Sequence, residues 1–311
     1  MFVFAAQRRA AVKKVVMKRL IHLSLLAALG LSAVGCSVLE IRSNCLAPVS
    51  VHINGFSLSQ EDCPATKSDP VALADCNEVN AITLAFYTSD GTEQYKATQL
   101  KSDNTTYTTF GDFSLSLPID NYTLVAIAYT TKDGSPFILT SPTEAAYTGA
   151  HAYETFVCTR GLNITSTSAV DIGATLNRVV SFLKVVSTDG KTANVSNVRM
   201  TLSAGGKSFN PTTGLALSNT GFVNTVGNSA EIGAHSISST AFFLASDEQT
   251  MDVTIETLDA QGNTVCTQTV NDVPFKRNRI TKLSGPLYTN TAIAGSFRLN
   301  TEWLTETIVS F

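Results

Sequence analysis

The chain has 311 residues, of which only 15% are charged, with 22 Lys+Arg against 25 Asp+Glu and a net charge of −3. Six of the basic residues (Arg8, Arg9, Lys13, Lys14, Lys18, Arg19) and no acidic ones lie in the first 35 positions, so residues 36–311 hold 16 Lys+Arg against 25 Asp+Glu, a net of −9. That balance disfavours nucleic acid or an anionic lipid surface as partner, while the abundance of Thr, Ser, Val and Asn suits strands and turns.

The N-terminus reads as a leader. Lys18 and Arg19 form a basic start, Leu20 to Leu31 supplies an apolar stretch of signal-peptide length, and the run to Val34 ends in small residues. At about 15 residues the run is shorter than the roughly 20 apolar residues of a spanning helix. Met17-Lys18-Arg19 is a sufficient start by itself, so translation is expected to begin at Met17. The tetrapeptide Ala33-Val34-Gly35-Cys36 resembles the lipobox of bacterial lipoproteins. The resemblance implies cleavage between Gly35 and Cys36, a diacylglycerol on the Cys36 thiol and acylation of the new amine. Several acyl chains, at about 0.8 kcal/mol per buried CH2, give a long-lived anchor. An ordinary secretory signal with an incidental cysteine is the alternative. The expected layout is a signal peptide over 1–35, a lipidated tether over 36–47, and two β-domains over 48–168 and 169–311.

Past the tether, Val49, Val51 and Ile53 alternate with polar residues, a period-two strand signal within Pro48 to Leu58. Residues 59–79 are polar, hold Pro64 and Pro70, and read as a long loop. Ala81 to Tyr87 is a strand, closed by Ser89-Asp90-Gly91, whose Asp-Gly suits a tight hairpin, and Gln94 to Leu100 pairs back. Phe113 to Leu117 turns through Pro118-Ile119-Asp120-Asn121 into Thr123 to Tyr129, with Tyr122 able to bury its ring while its hydroxyl finds a partner. Tyr153 to Cys158 follows, the pattern weakens over Gly161 to Leu176, and Arg178 to Val186 opens the second half. Strands at Val195 to Leu202, Ala241 to Ala245, Val253 to Leu258, Val265 to Val270, Ile280 to Tyr288 and Ser296 to Val309 complete it, with turns at Gly205-Gly206 and Gln261-Gly262. Periodicity does not support a helix in 137–150 or 286–295. The fold predicted is all-β, two β-sandwiches.

Five cysteines follow Cys36: Cys45, Cys63, Cys76, Cys158 and Cys266. An exported compartment permits disulfides, an odd number leaves one thiol over, and a bridge among Cys45, Cys63 and Cys76 would close a turn-rich segment without its pairing being readable. No spacing fits a zinc template, and His52, His151 and His235 stand isolated, so no metal site and no cofactor beyond the lipid are expected. No nucleophile, P-loop or dinucleotide motif occurs, so no catalytic residue is assigned. Asp247-Glu248 and Glu302/Glu306 are the nearest approaches to a carboxylate pair, and Lys276-Arg277-Asn278-Arg279, the densest basic cluster, reads as the start of a strand. Trp303 is the one tryptophan and is expected in the core.

The segments Ala81–Gly91 (AITLAFYTSDG), Phe113–Tyr129 (FSLSLPIDNYTLVAIAY), Arg178–Val186 and Val273–Tyr288 (VPFKRNRITKLSGPLY), in this order behind the lipobox, resemble the fimbrillin and fimbrial-anchor lipoproteins of Bacteroidota, which build type V pili. The most specific pieces are Leu117-Pro118 followed by Tyr122, and Asn278-Arg279-Ile280-Thr281 with Gly285. The resemblance implies two transthyretin-like, Greek-key β-sandwich domains, a surface-exposed position at the outer membrane through the lipid, and other fimbrial subunits as partners, joined by β-strand exchange. Stalk subunits of that family lose their lipid when a protease cuts after an N-terminal Arg. Here the candidates are Arg42, where cutting would leave the Val49–Ile53 strand in place, and Arg160, where it would destroy the first domain. The resemblance therefore favours an anchor-type subunit that keeps its lipid, over a stalk or accessory one. The alternative function is an outer-membrane lipoprotein that binds glycan or a host ligand.

Overall fold

The structure, a computed structural model, describes residues 45–57, 71–73, 76–103, 105–132, 136–289 and 298–300. Among them the first half of the chain forms β1 (Leu46–Ser57), β2 (Val71–Ala72), β3 (Ala81–Thr88), β4 (Glu93–Leu100), β5 (Asp112–Pro118), β6 (Asn121–Tyr129), β7 (Phe137–Ser141), β8 (Glu144–Tyr147), β9 (Thr155–Asn163) and β10 (Val170–Arg178). The second half forms β11 (Ser181–Ser187), β12 (Asn197–Leu202), β13 (Ser208–Asn210), β14 (Leu215–Ala216), β15 (Phe222–Gly227), β16 (Ile237–Phe242), β17 (Glu248–Leu258), β18 (Thr264–Lys276), β19 (Ile280–Gly285) and β20 (Arg298–Asn300). No α-helix occurs among the described residues, and the chain is an all-β protein of sandwich type.

The first sandwich is one sheet bent onto itself. Its strand order is β2-β1-β10-β9-β6-β3-β4, with β5 also paired to β1. The bend falls between β10 and β9, which pair only through Asn177 with Val157 and Arg178 with Phe156. The layer β5-β1-β10 therefore lies over β9-β6-β3-β4. Val49, Val51 and Ile53 of β1 and Ile172, Ala174 and Leu176 of β10 share a core with Ile82, Leu84 and Phe86 of β3 and Leu124, Ala126 and Ala128 of β6. Period-two alternation puts each of these side chains on the inner face.

The second sandwich packs β16-β11-β19-β20 on β15-β12-β17-β18 around Leu183, Val185, Met200, Val253, Ile255, Phe242, Phe275 and Leu283. Its topology repeats that of the first. In the first half the opening strand β1 pairs in parallel with the last, β10, and antiparallel with β5. In the second, β11 pairs in parallel with β19 and antiparallel with β16. The facing layers correspond likewise, β4-β3-β6-β9 to β15-β12-β17-β18.

A third core joins the halves. The outward faces of β3 and β6 are also buried, which is why both strands read as nearly continuous apolar runs. Tyr87, Val125, Ile127 and Tyr129 pack there against Tyr147, Phe209 and Phe243. The hairpin β7–β8, which occupies residues 137–147, pairs with β13 of the second half to make the small sheet β14-β13-β8-β7. Accordingly all the strands belong to one compact unit.

The turns follow their residue chemistry. Asp90 accepts hydrogen bonds from the Thr88 hydroxyl and the Thr92 amide (3.1 Å), and Gly91 takes φ 85°. Tyr122 is 4% exposed, and its hydroxyl donates to the Pro118 carbonyl at 2.9 Å. Leu283 and its neighbours in β19 pair with β20, whereas Trp303, Glu302 and Glu306 lie outside the described residues.

Candidate assembly site

Strand β1 holds an unusual position for the first described element of a chain. It lies inside a layer, with β5 and β2 on one edge and β10 on the other. Within that layer β5 has no other strand partner among the described residues, and β10 reaches the rest of the sheet only through the two pairs at the bend. Ala47, Val49, Val51, Ile53 and Phe56 of β1 are buried to 6% exposure or less. Phe56 packs against Phe156 of the facing layer, the rings tilted by 35° with centroids 4.3 Å apart. Lifting β1 out would thus open a groove between β5 and β10, floored by β3 and β6 and lined by Phe113, Leu117, Ile172 and Leu176. A groove of that kind binds an extended segment through two backbone ladders and admits alternate side chains to its pockets.

The outer face of this layer carries a feature that the sequence did not reveal. His52 of β1, isolated in sequence, stands between Asp112 of β5 and Asp171 of β10. Its Nδ1 lies 2.9 Å from the Asp112 carboxylate and its Nε2 lies 3.4 Å from that of Asp171. The hydrogen bond to Asp112 raises the imidazole pKa above its ordinary 6.5, with desolvation opposing it and the charges of Asp112 and Asp171 adding to it. The strand register, which sets His52 opposite Asp112, brings together residues 60 positions apart. Pairing partners at that distance leave no local signal.

At the bend, Glu154 and Arg178 form a nearly buried ion pair, and the Arg178 guanidinium lies 5.2 Å from the Phe156 ring centroid. Burial raises the Glu154 carboxyl, and the charge and hydrogen bond of Arg178 oppose it. Arg178 Nη1 also donates to Asn278 of the β18–β19 turn at 3.3 Å, tying the first sandwich to the second. Near the C-terminal end, the Asp189 carboxylate accepts the backbone amides of Leu287 (2.7 Å), Tyr288 (2.9 Å) and Thr289 (2.9 Å). Burial raises its pKa, but these hydrogen bonds outweigh it and hold the group below its usual range.

The sequence-predicted positions fall as follows. Gly35, Cys36, Arg42 and Cys63 lie outside the described residues. Arg160 sits in β9 opposite Leu124 of β6, inside the first sheet. Cys45, Cys76, Cys158 and Cys266 are free thiols, with Cys76 and Cys266 buried. Asp247 and Glu248 are exposed and paired to Arg277 and Lys276 rather than to each other. Lys276 ends β18 and Arg277 to Arg279 form the turn into β19, where Asn278 takes φ 60°. Among the described residues no group of three or more His, Cys, Asp and Glu side chains could hold a metal ion.

The sequence profile of a family of unknown function (DUF6562) matches residues 56–308. Among solved structures, a candidate adhesin from Bacteroides ovatus is 11% identical over 77% of this chain and 87% of its own, with a TM-score of 0.50. The fimbrial anchor protein Mfa2 from Porphyromonas gingivalis is 10% identical over 82% of this chain and 95% of its own, with a TM-score of 0.47. A candidate polysaccharide-binding protein from Bacteroides thetaiotaomicron is 11% identical over 83% of this chain and 96% of its own, with a TM-score of 0.48. No curated protein matches the chain. At 11% identity the likeness to the Bacteroides ovatus structure is one of fold alone.

Proposed function

The chain belongs to the family of unknown function DUF6562, and we propose that it is a structural subunit of a cell-surface fimbria, tethered to the outer membrane by lipid on Cys36. It joins other fimbrial subunits by β-strand exchange and has no catalytic role. The observation that carries this reading is the placement of β1, a buried N-terminal strand that alone bridges β5 and β10. Such a strand is the natural one for a neighbour's segment to replace, because its place offers backbone ladders on both β5 and β10. The fold shared with the Bacteroides adhesin candidate and the lipobox before Cys36 support the same reading.

The anchor-type role is favoured by where Arg residues stand. A cut after Arg42 removes nothing of β1, which starts at Leu46. A cut after Arg160 would sever β9 inside the sheet. A chain that keeps both β1 and its lipid stays tethered, with β1 in the groove until a neighbour's segment displaces it. Intact-mass spectrometry of the protein from native membranes tests this. An acylated Cys36 followed by residues 37–311, in material that co-purifies with filaments, is the expected result. A lipid-free chain beginning after Arg42 or further in would replace the anchor with a polymerising subunit, and absence from filament preparations would overturn the fimbrial role.

A further inference from the structure

Three strands of the assembly site meet at one ionisable side chain. His52 lies on the outer face of β1, midway along the strand, with its side chain 44% exposed and open to solvent protons. Its Nδ1 faces the Asp112 carboxylate of β5 and its Nε2 faces that of Asp171 of β10, so the imidazole spans both walls of the groove. The register explains the second contact. Gly173 stands opposite His52 on β10 and offers no side chain, and the ring reaches instead to Asp171, which lies opposite Ser50.

Asp112 and Asp171 are the charged groups that act on the ring. Strand β2, the remaining strand on β1, pairs at Gly55 and Phe56 and consists of Val71 and Ala72, neither of which titrates. Along β1 itself, the outward neighbours Ser50 and Asn54 are neutral.

The proton decides how many walls the ring can hold. An imidazolium has two N–H donors and can donate to both carboxylates. A neutral imidazole has one. With that hydrogen on Nδ1 toward Asp112, Nε2 turns a lone pair on the Asp171 carboxylate, and attraction gives way to repulsion. The other tautomer reverses the two contacts. Either way, deprotonation releases one wall and leaves the backbone ladders and buried side chains of β1 as they were.

We propose that His52 is a pH-sensitive clasp on β1, closed across β5 and β10 when protonated, so that a neighbour's segment replaces β1 faster as pH rises. Such a clasp regulates the strand exchange proposed above and rests on that reading. The test offers the full chain of residues 36–311 a fluorescent peptide of residues 46–57 carrying His52→Gln, so that only the resident strand titrates. Fluorescence anisotropy follows its incorporation. The rate is expected to be about threefold higher at about pH 8 than at about pH 5.5, the scale set by exposed ion pairs. That ratio should fall to about one in the His52→Gln chain. It should also shrink in Asp171→Asn, which alters a side chain that is 79% exposed and leaves the core untouched. Equal rates at the two pH values in wild type, a faster rate at the lower pH, or a ratio that either variant keeps unchanged would overturn the clasp while leaving strand exchange in place. No incorporation at either pH would overturn strand exchange and the clasp with it.

Discussion

His52 is the residue at which solution conditions reach the β1 layer. Its folded-state pKa lies above 6.5, so it binds its proton more tightly folded than unfolded. The stabilisation is therefore full below 6.5 and is lost as pH rises through the folded value. Urea unfolding of wild type and His52→Gln between about pH 6 and pH 8 should show wild type losing its advantage as pH rises, while the variant varies less. An advantage that grows with pH would refute the assigned pairing with Asp112 and Asp171. Glu154 poses the opposite problem, because it offsets a cation that is nearly buried. Glu154→Ala leaves Arg178 without a counter-charge and should cost about 3–5 kcal/mol in urea unfolding. A cost under about 1 kcal/mol would mean that water reaches the guanidinium.

At the scale of elements, strands announced themselves where alternation was strong. Val49, Val51 and Ile53 mark β1, and the apolar runs of β3 and β6 reflect burial on both faces. Strand β10 was hidden because Gly173 and Ala174 dilute an alternation that Ile172 and Leu176 nonetheless keep. The hairpin β7–β8 and strands β13 and β14 were hidden for another reason. They are short, and their order comes from pairing between β8 and β13, some 60 residues apart. Gln99 is a further case, a polar residue that reads as surface and is 6% exposed. Its amide nitrogen donates to the Asp112 carbonyl (2.7 Å) and its oxygen accepts the Gly111 amide (2.7 Å), fixing the start of β5. Gln99→Ala strands both backbone groups and should cost about 2 kcal/mol, read as a lower urea midpoint. An unchanged midpoint would show that the clamp contributes nothing.

Over the whole molecule, the sequence pointed to two similar halves, and the structure adds what couples them. Tyr147, Phe209 and Phe243 bury the outer face of the first sandwich, with the Phe209 and Phe243 rings stacked at 4.3 Å. No periodicity in either half could reveal that contact, because it depends on how one folded sandwich meets the other. Wild type should unfold in a single calorimetric transition. Phe243→Ala, which empties the shared core at a cost of about 3–5 kcal/mol, should separate it toward two. Two transitions in wild type would mean that the halves are energetically independent.

The proposed strand exchange requires the groove that β1 occupies to take up a strand from elsewhere. A chain beginning at Leu58 lacks β1 entirely, and a synthetic peptide of residues 45–57 can be added back. Thermal unfolding of that chain should show a marked loss of stability, restored by the peptide in a concentration-dependent way. The same peptide with Val51→Asp should fail, because it sets a carboxylate in an apolar pocket. A truncated chain as stable as wild type, or one that the peptide leaves unchanged, would contradict the account.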